Sequence, residues 1–214
     1  MPRSPRRPRD RALYVETLIR APMERVWELT QDPELHARWD ARFSAIVPLR
    51  VRADGAAEFR YELRVGPWTI RGTGVSLGER RGRGGERTSA LVFESGSALS
   101  PLASGRGYWR YVPTDEGVRF CTGYDYAPGW GILGRVLDPL LTRRLVWRLT
   151  AWSFDRLRLW AEDGVEPERV RPWRGWRPGG LRARARNCRS RPERRTGRTI
   201  MQGAPEALGR IGRR

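Results

Sequence analysis

The chain has 214 residues and a formal net charge of +18, a balance that first suggests a nucleic-acid partner. Residues 1–11 hold five Arg and one Asp, residues 165–214 hold 15 Arg and four Glu, and residues 12–164 hold 22 Arg against 19 acids. The middle is nearly neutral, which excludes a domain-wide phosphate-binding surface, and the absence of Lys fits a compositional bias better than selection for phosphate.

ALYVETLI (12–19) has the length and β-branched content of a strand. Pro22 then suits a helix start, and Met23, Val26, Trp27 and Thr30 follow at helical spacing. Asp32-Pro33 repeats the signal: Asp caps free N–H groups and Pro opens a second short helix, with Leu35 and Trp39 on its buried side. From Phe43 to Tyr126 six strands are predicted. In AAEFRYELRV, Phe59, Tyr61, Leu63 and Val65 face one way and Glu58, Arg60, Glu62 and Arg64 the other, the signature of a half-buried strand. The glycines of WTIRGTGVSLGER allow a strong bend. In GVRFCTGYDY, Val118, Phe120, Thr122, Tyr124 and Tyr126 share a face. Short connections make the series an antiparallel meander. Asp138-Pro139 predicts the start of a long helix running to about Ala161, with Arg144, Arg148, Asp155, Arg158 and Glu162 on an ion-pairing stripe. Its wide apolar arc, Val146, Leu149, Trp152, Leu157 and Trp160, calls for a curved sheet around it. After Gly164 the chain turns to Arg, Pro and Gly without period, which predicts disorder for 165–214. Trp173 and Trp176 in that tail suit stacking on bases or a membrane interface, or an unstructured segment. Three parts are expected: a basic tail (1–11), one domain (12–164) and a second tail (165–214).

Cys121 and Cys188 stand alone, forming neither a disulfide framework nor a metal site, so a reducing, cytoplasmic setting is expected, with no cofactor or metal. The basic N-terminus has too short an apolar part for a signal peptide, and no uncharged run approaches the ~18 residues of a membrane span.

The α+β order of strand, two short helices, six-strand meander and long C-terminal helix resembles the helix-grip fold of the SRPBCC, or START-like, superfamily. Residues 15–39 match its usual opening, "V…I.AP.e.VW.l..D…..W". GYWRYVPTDEGVRFCTGYDY and TAWSFDRLRLWAEDG resemble a bacterial branch described as polyketide cyclase/dehydrase-like. The resemblance covers residues 12–164. It implies a curved antiparallel sheet of about seven strands wrapped around the helix, with an apolar cavity between them for a lipid, polyketide or isoprenoid-like molecule. Cyclase or dehydrase activity is the alternative, and nucleic-acid association through the tails, disfavoured by the neutral middle, is a third reading.

Strand parity assigns Phe59, Tyr61, Leu63, Ile70, Leu91 and Phe93 to the cavity face, followed by Trp109, Tyr111, Phe120, Thr122, Tyr124 and Tyr126. The long helix contributes Val146, Leu149, Ser153 and Leu157, and Trp39 is a packing or wall residue. The tyrosines either fix a ligand carbonyl or hydroxyl or simply fill the core. The candidates for proton transfer are His36, Tyr61 and Tyr124, none of them in a recognisable catalytic motif. His36 is the only histidine, with Asp40 nearby. Gly82, Gly84 and Gly85 sit in a hairpin context, which excludes a phosphate loop.

Overall fold

The computed structural model describes residues 12–170, 182–192 and 200–203. Strand β1 (Leu13–Ile19) leads into helices α1 (Met23–Gln31) and α2 (Pro33–Trp39). Asp32 Oδ1 accepts from the Glu34 and Leu35 amides at 2.8 and 3.0 Å, so the Asp-Pro pair separates the two helices by capping the second. Strands β2 (Ala45–Val51), β3 (Ala57–Val65), β4 (Trp68–Arg81), β5 (Arg87–Glu94), β6 (Leu102–Thr114) and β7 (Gly117–Pro128) follow. They form one antiparallel seven-stranded sheet in the order β1-β7-β6-β5-β4-β3-β2. This is the helix-grip architecture.

The alternation on β3 holds in three dimensions. Its outward Glu62 meets Arg60, Arg64 and Arg71, and Glu58 meets Arg50, so the convex face is laced with exposed ion pairs. Its inward residues lie on the opposite, concave face, where the Tyr61 ring meets Phe43 and Phe93 edge-on.

That helix begins earlier than the sequence suggests. Helix α3 (Gly131–Leu137) starts directly after β7 and continues through a π-helical turn, Asp138–Thr142, into α4 (Arg143–Asp163). Asp138-Pro139 therefore lies inside a helical run. Pro139 has no amide to give, and the register slips to an i→i+5 bond in which the Arg143 amide donates to the Asp138 carbonyl. Trp130, just before α3, holds a left-handed backbone (φ 57°), and its indole N–H donates to the Ala98 carbonyl at 2.9 Å.

The tail also departs from expectation in the part described. Asp155 on α4 accepts from the Arg184 amide and the Asn187 side chain at 2.7 and 2.9 Å. Arg189 exchanges both backbone hydrogen bonds with Glu16 on the edge strand β1, at 3.0 and 2.8 Å. Cys188 is buried beside the Ala151 carbonyl. Residues 184–189 thus dock on the domain rather than trailing from it, covering an edge that would otherwise offer open backbone groups. The expected basic segment 1–11, Trp173 and Trp176 lie outside the described residues.

Candidate functional site

The concave face has a glycine floor under its aromatic residues. Register sets Phe59 against Gly74, Tyr61 against Gly72, and Phe93 against Gly74 and Gly105. A Cβ at Gly72 would strike the Tyr61 ring, at Gly74 the Phe59 ring, and at Gly105 the Phe93 ring. The rings therefore lie down across their neighbours instead of standing up toward the helix. Phe59, Leu63, Ile70, Leu91 and Phe93 stay half-exposed, as do Tyr126 on β7 and Leu149 on α4. Tyr61 is buried, its hydroxyl 3.3 Å from the Glu94 carbonyl.

The other half of the grip is filled. Trp39, Tyr111, Phe120, Ser153 and Leu157 have 0% exposure, so none borders a space that would admit water. These five were expected on the cavity face and are instead packed interior. The cause is α1 and α2, which close that end and drive Trp39 against Trp109 and Phe154 while Phe120 stacks on Phe154 at 4.5 Å. Thr30 Oγ1 and Gln31 Nε2 each lie 2.8 Å from the Tyr111 hydroxyl. Trp109, Thr122, Tyr124 and Val146 are also buried, with the Thr122 hydroxyl donating to the Tyr108 carbonyl.

Between the halves sits a polar cluster. Asp40 is fully buried and takes the Arg42 guanidinium through Nε and Nη2, at 2.9 and 2.6 Å. His36 Nε2 lies 3.1 Å from the same carboxylate, and its ring is enclosed by Trp39, Phe43 and Trp109. Burial alone would raise the Asp40 pKa, but Arg42 and His36 overcome it and hold the carboxyl well below its ordinary range. Burial lowers the His36 pKa, and the Asp40 charge only partly offsets it. The Arg42 guanidinium lies 5.7 Å from the Phe43 ring centre and 5.9 Å from that of Tyr124. Burial raises the Tyr124 pKa, and its hydroxyl is 3.0 Å from Thr150 Oγ1.

Of the three proton-transfer candidates, each polar group is thus engaged by the protein: His36 by Asp40, Tyr61 by a backbone carbonyl, Tyr124 by Thr150. Arg42 is the residue that sequence reasoning missed. Its signal was the Trp39-Asp40-Ala41-Arg42 run, a carboxylate at a helix end with a cation two residues on. A separate open groove of about 650 Å³, lined by Arg60, Arg71, Thr73 and Glu94, lies on the outward parity of β3–β5 and has no part in the concave site.

Comparison with known proteins agrees with this architecture. The crystal structure of the di-domain ARO/CYC StfQ from the steffimycin biosynthetic pathway superposes with a TM-score of 0.53 and 11% identity, covering 72% of this chain and 50% of that one. A crystal structure of a Chromobacterium violaceum protein gives a TM-score of 0.50 at 18% identity, covering 71% of this chain and 96% of the other. Both likenesses concern the fold. The Bacillus subtilis "Uncharacterized membrane protein YndG" is 42% identical over 163 residues, covering 75% of this chain. The chain spans 61% of that relative's length. Among the described residues no helix is long and apolar enough to cross a membrane. The family model described as "Polyketide cyclase / dehydrase and lipid transport" matches residues 11–162, and the chain belongs to that family.

Proposed function

We propose that the chain binds a hydrophobic small molecule of lipid, polyketide or isoprenoid-like character in the open half of the grip, beneath the first turns of α4. The observation that carries this reading is the glycine-floored aromatic surface of β3–β5. Phe59 and Phe93 lie across Gly74 and Gly105 and keep apolar area uncovered, an arrangement suited to an apolar guest. The family's description, which includes lipid transport, supports the same reading. Arg42, at the inner boundary, would set the orientation of a polar ligand end. Binding is favoured over cyclase-like catalysis because His36, Tyr61 and Tyr124 already spend their polar atoms on protein partners. The free cysteines Cys121 and Cys188 support a reducing, cytoplasmic setting.

Native mass spectrometry of the purified full chain should reveal a retained apolar molecule, and parinaric acid should bind with a fluorescence increase. Leu91→Trp, which adds bulk to the open half, should weaken parinaric acid binding by about tenfold or more. A wild-type chain that carries no such molecule and fails to bind a lipid and polyketide panel would overturn the reading.

A further inference from the structure

Among the described residues, most of the exposed large apolar side chains outside β2 lie at one end of the sheet. The β3–β4 turn, the β5–β6 loop and the exit of β7 all lie at that end, as their strand order requires. There Trp68 is 61% exposed, Leu99 43% and Trp130 45%. The Trp130 indole bond to Ala98 joins the start of α3 to the β5–β6 loop. Along the helical run from α3 to the first turn of α4, Ile132, Leu133, Val136, Leu140, Leu141 and Leu145 each expose half or more of their surface. They repeat at about helical spacing, while Gly134, Thr142 and Val146 turn inward. Scattered exposed apolar residues need no explanation; six on one short run, with Trp130 at its start and Trp68 at the same end of the sheet, do.

Charge decides what would cover this surface. Arg135, Arg144 and Arg148 are exposed on the same run, and none of them forms an ion pair among the described residues. The run's one acid, Asp138, accepts from the Tyr126 hydroxyl. A second copy packed face to face would set arginine against arginine, whereas an anionic lipid surface satisfies both the apolar stripe and the cations. Tryptophan at the rim suits the headgroup level, where its ring is apolar and its N–H polar.

We propose that the α3 end is a docking surface for an anionic lipid bilayer, with α3 lying in the plane of the interface and Trp68 and Trp130 at headgroup depth. The half-exposed residues Leu63, Ile70 and Tyr126 belong to the same end of the grip, so docking would turn the open half toward the lipid. The docking proposal does not require the ligand reading to hold, because it rests on the outer rim.

The test is co-sedimentation of the full chain with vesicles of phosphatidylcholine alone and of phosphatidylcholine with about one third phosphatidylglycerol. The rim variant is Ile132→Glu with Leu140→Glu. The control is Leu49→Glu with Val51→Glu, on exposed apolar positions of the edge strand β2. Wild type and control should sediment with the anionic vesicles, and the rim variant should partition roughly tenfold or more weakly with an unchanged circular dichroism spectrum. The Arg-rich tails are present in all three, so equal binding by the rim variant would assign the attraction to the tails and overturn the proposal. Wild type that ignores both vesicle types would also overturn it. So would a wild-type dimer that the rim substitutions dissolve without any vesicle binding, which would make the occupant a second copy. Parinaric acid binding by the rim variant reports separately on the interior site.

Discussion

At the α1–α2 end Trp39, Tyr111, Phe120 and Leu157 leave no surface for water, whereas at the α3 end Ile132, Leu133 and Leu140 each show more than half of theirs. The same sheet supports both. What differs is the cover: two short helices close one end over bulky aromatics, while the other carries glycine-floored rings and a helix with its apolar side outward. A side chain at the first end has its energy in packing, and one at the second has it available for something that arrives later. Substitutions at the two ends should therefore separate stability from binding.

The largest effect is expected from Trp39→Ala. It removes a fully buried indole and the 2.8 Å bond from its N–H to the Leu29 carbonyl; a loss of about 3–5 kcal/mol in urea unfolding is expected. Arg156→Met comes next. Its guanidinium donates to the Trp39, Arg38 and Pro167 carbonyls at 3.1, 2.9 and 2.9 Å, tying the end of α2 to α4. Leaving those acceptors without a donor should cost about 2–3 kcal/mol by the same measurement. Phe93→Ala lies in the open half. Its half-exposed ring has less burial to lose, so about 1 kcal/mol is expected, together with a clear loss of parinaric acid binding. A Phe93 effect on stability as large as that of Trp39 would erase the distinction between the ends.

How much of this was legible in the sequence follows the range of the interactions. Alternation on β3 and the Asp32-Pro33 cap are local, and they placed strands and helices correctly. Parity told which face Tyr111 and Phe120 occupy, but depth along that face depends on where α1 and α2 close, which is set by contacts some 80 residues apart in sequence, such as Gln31 with Tyr111. Five supposed wall residues were therefore interior. The α3 start was obscured because Trp130 caps it in a left-handed conformation with no capping side chain, and Asp138-Pro139 offered a stronger false start. Residues 184–189 dock through a three-residue turn and a single bridge to Glu16, too short to leave any period.

The smallest effect is also the most specific, because the chain has only one histidine. Burial against Trp39 and Trp109 lowers the His36 pKa from its ordinary 6.5. Below about pH 6.5 the unfolded chain takes up a proton that the folded chain refuses, so stability must fall as the pH drops from there toward the folded value. The carboxylates held low by arginines, Asp40, Glu58, Glu62 and Glu168, start from ordinary values of 3.8 to 4.5. Their contribution is intact above pH 5 and is lost only in stronger acid. The window from about pH 5 to 6.5 thus belongs to His36 rather than to these carboxylates. His36→Gln places an amide N–H near Asp40 without a titrating proton. Unfolding midpoints should then be nearly level across that window, while those of wild type decline. If the variant declines as steeply as wild type, His36 is not a buried neutral imidazole, and the closed end is more open to water than its packing implies.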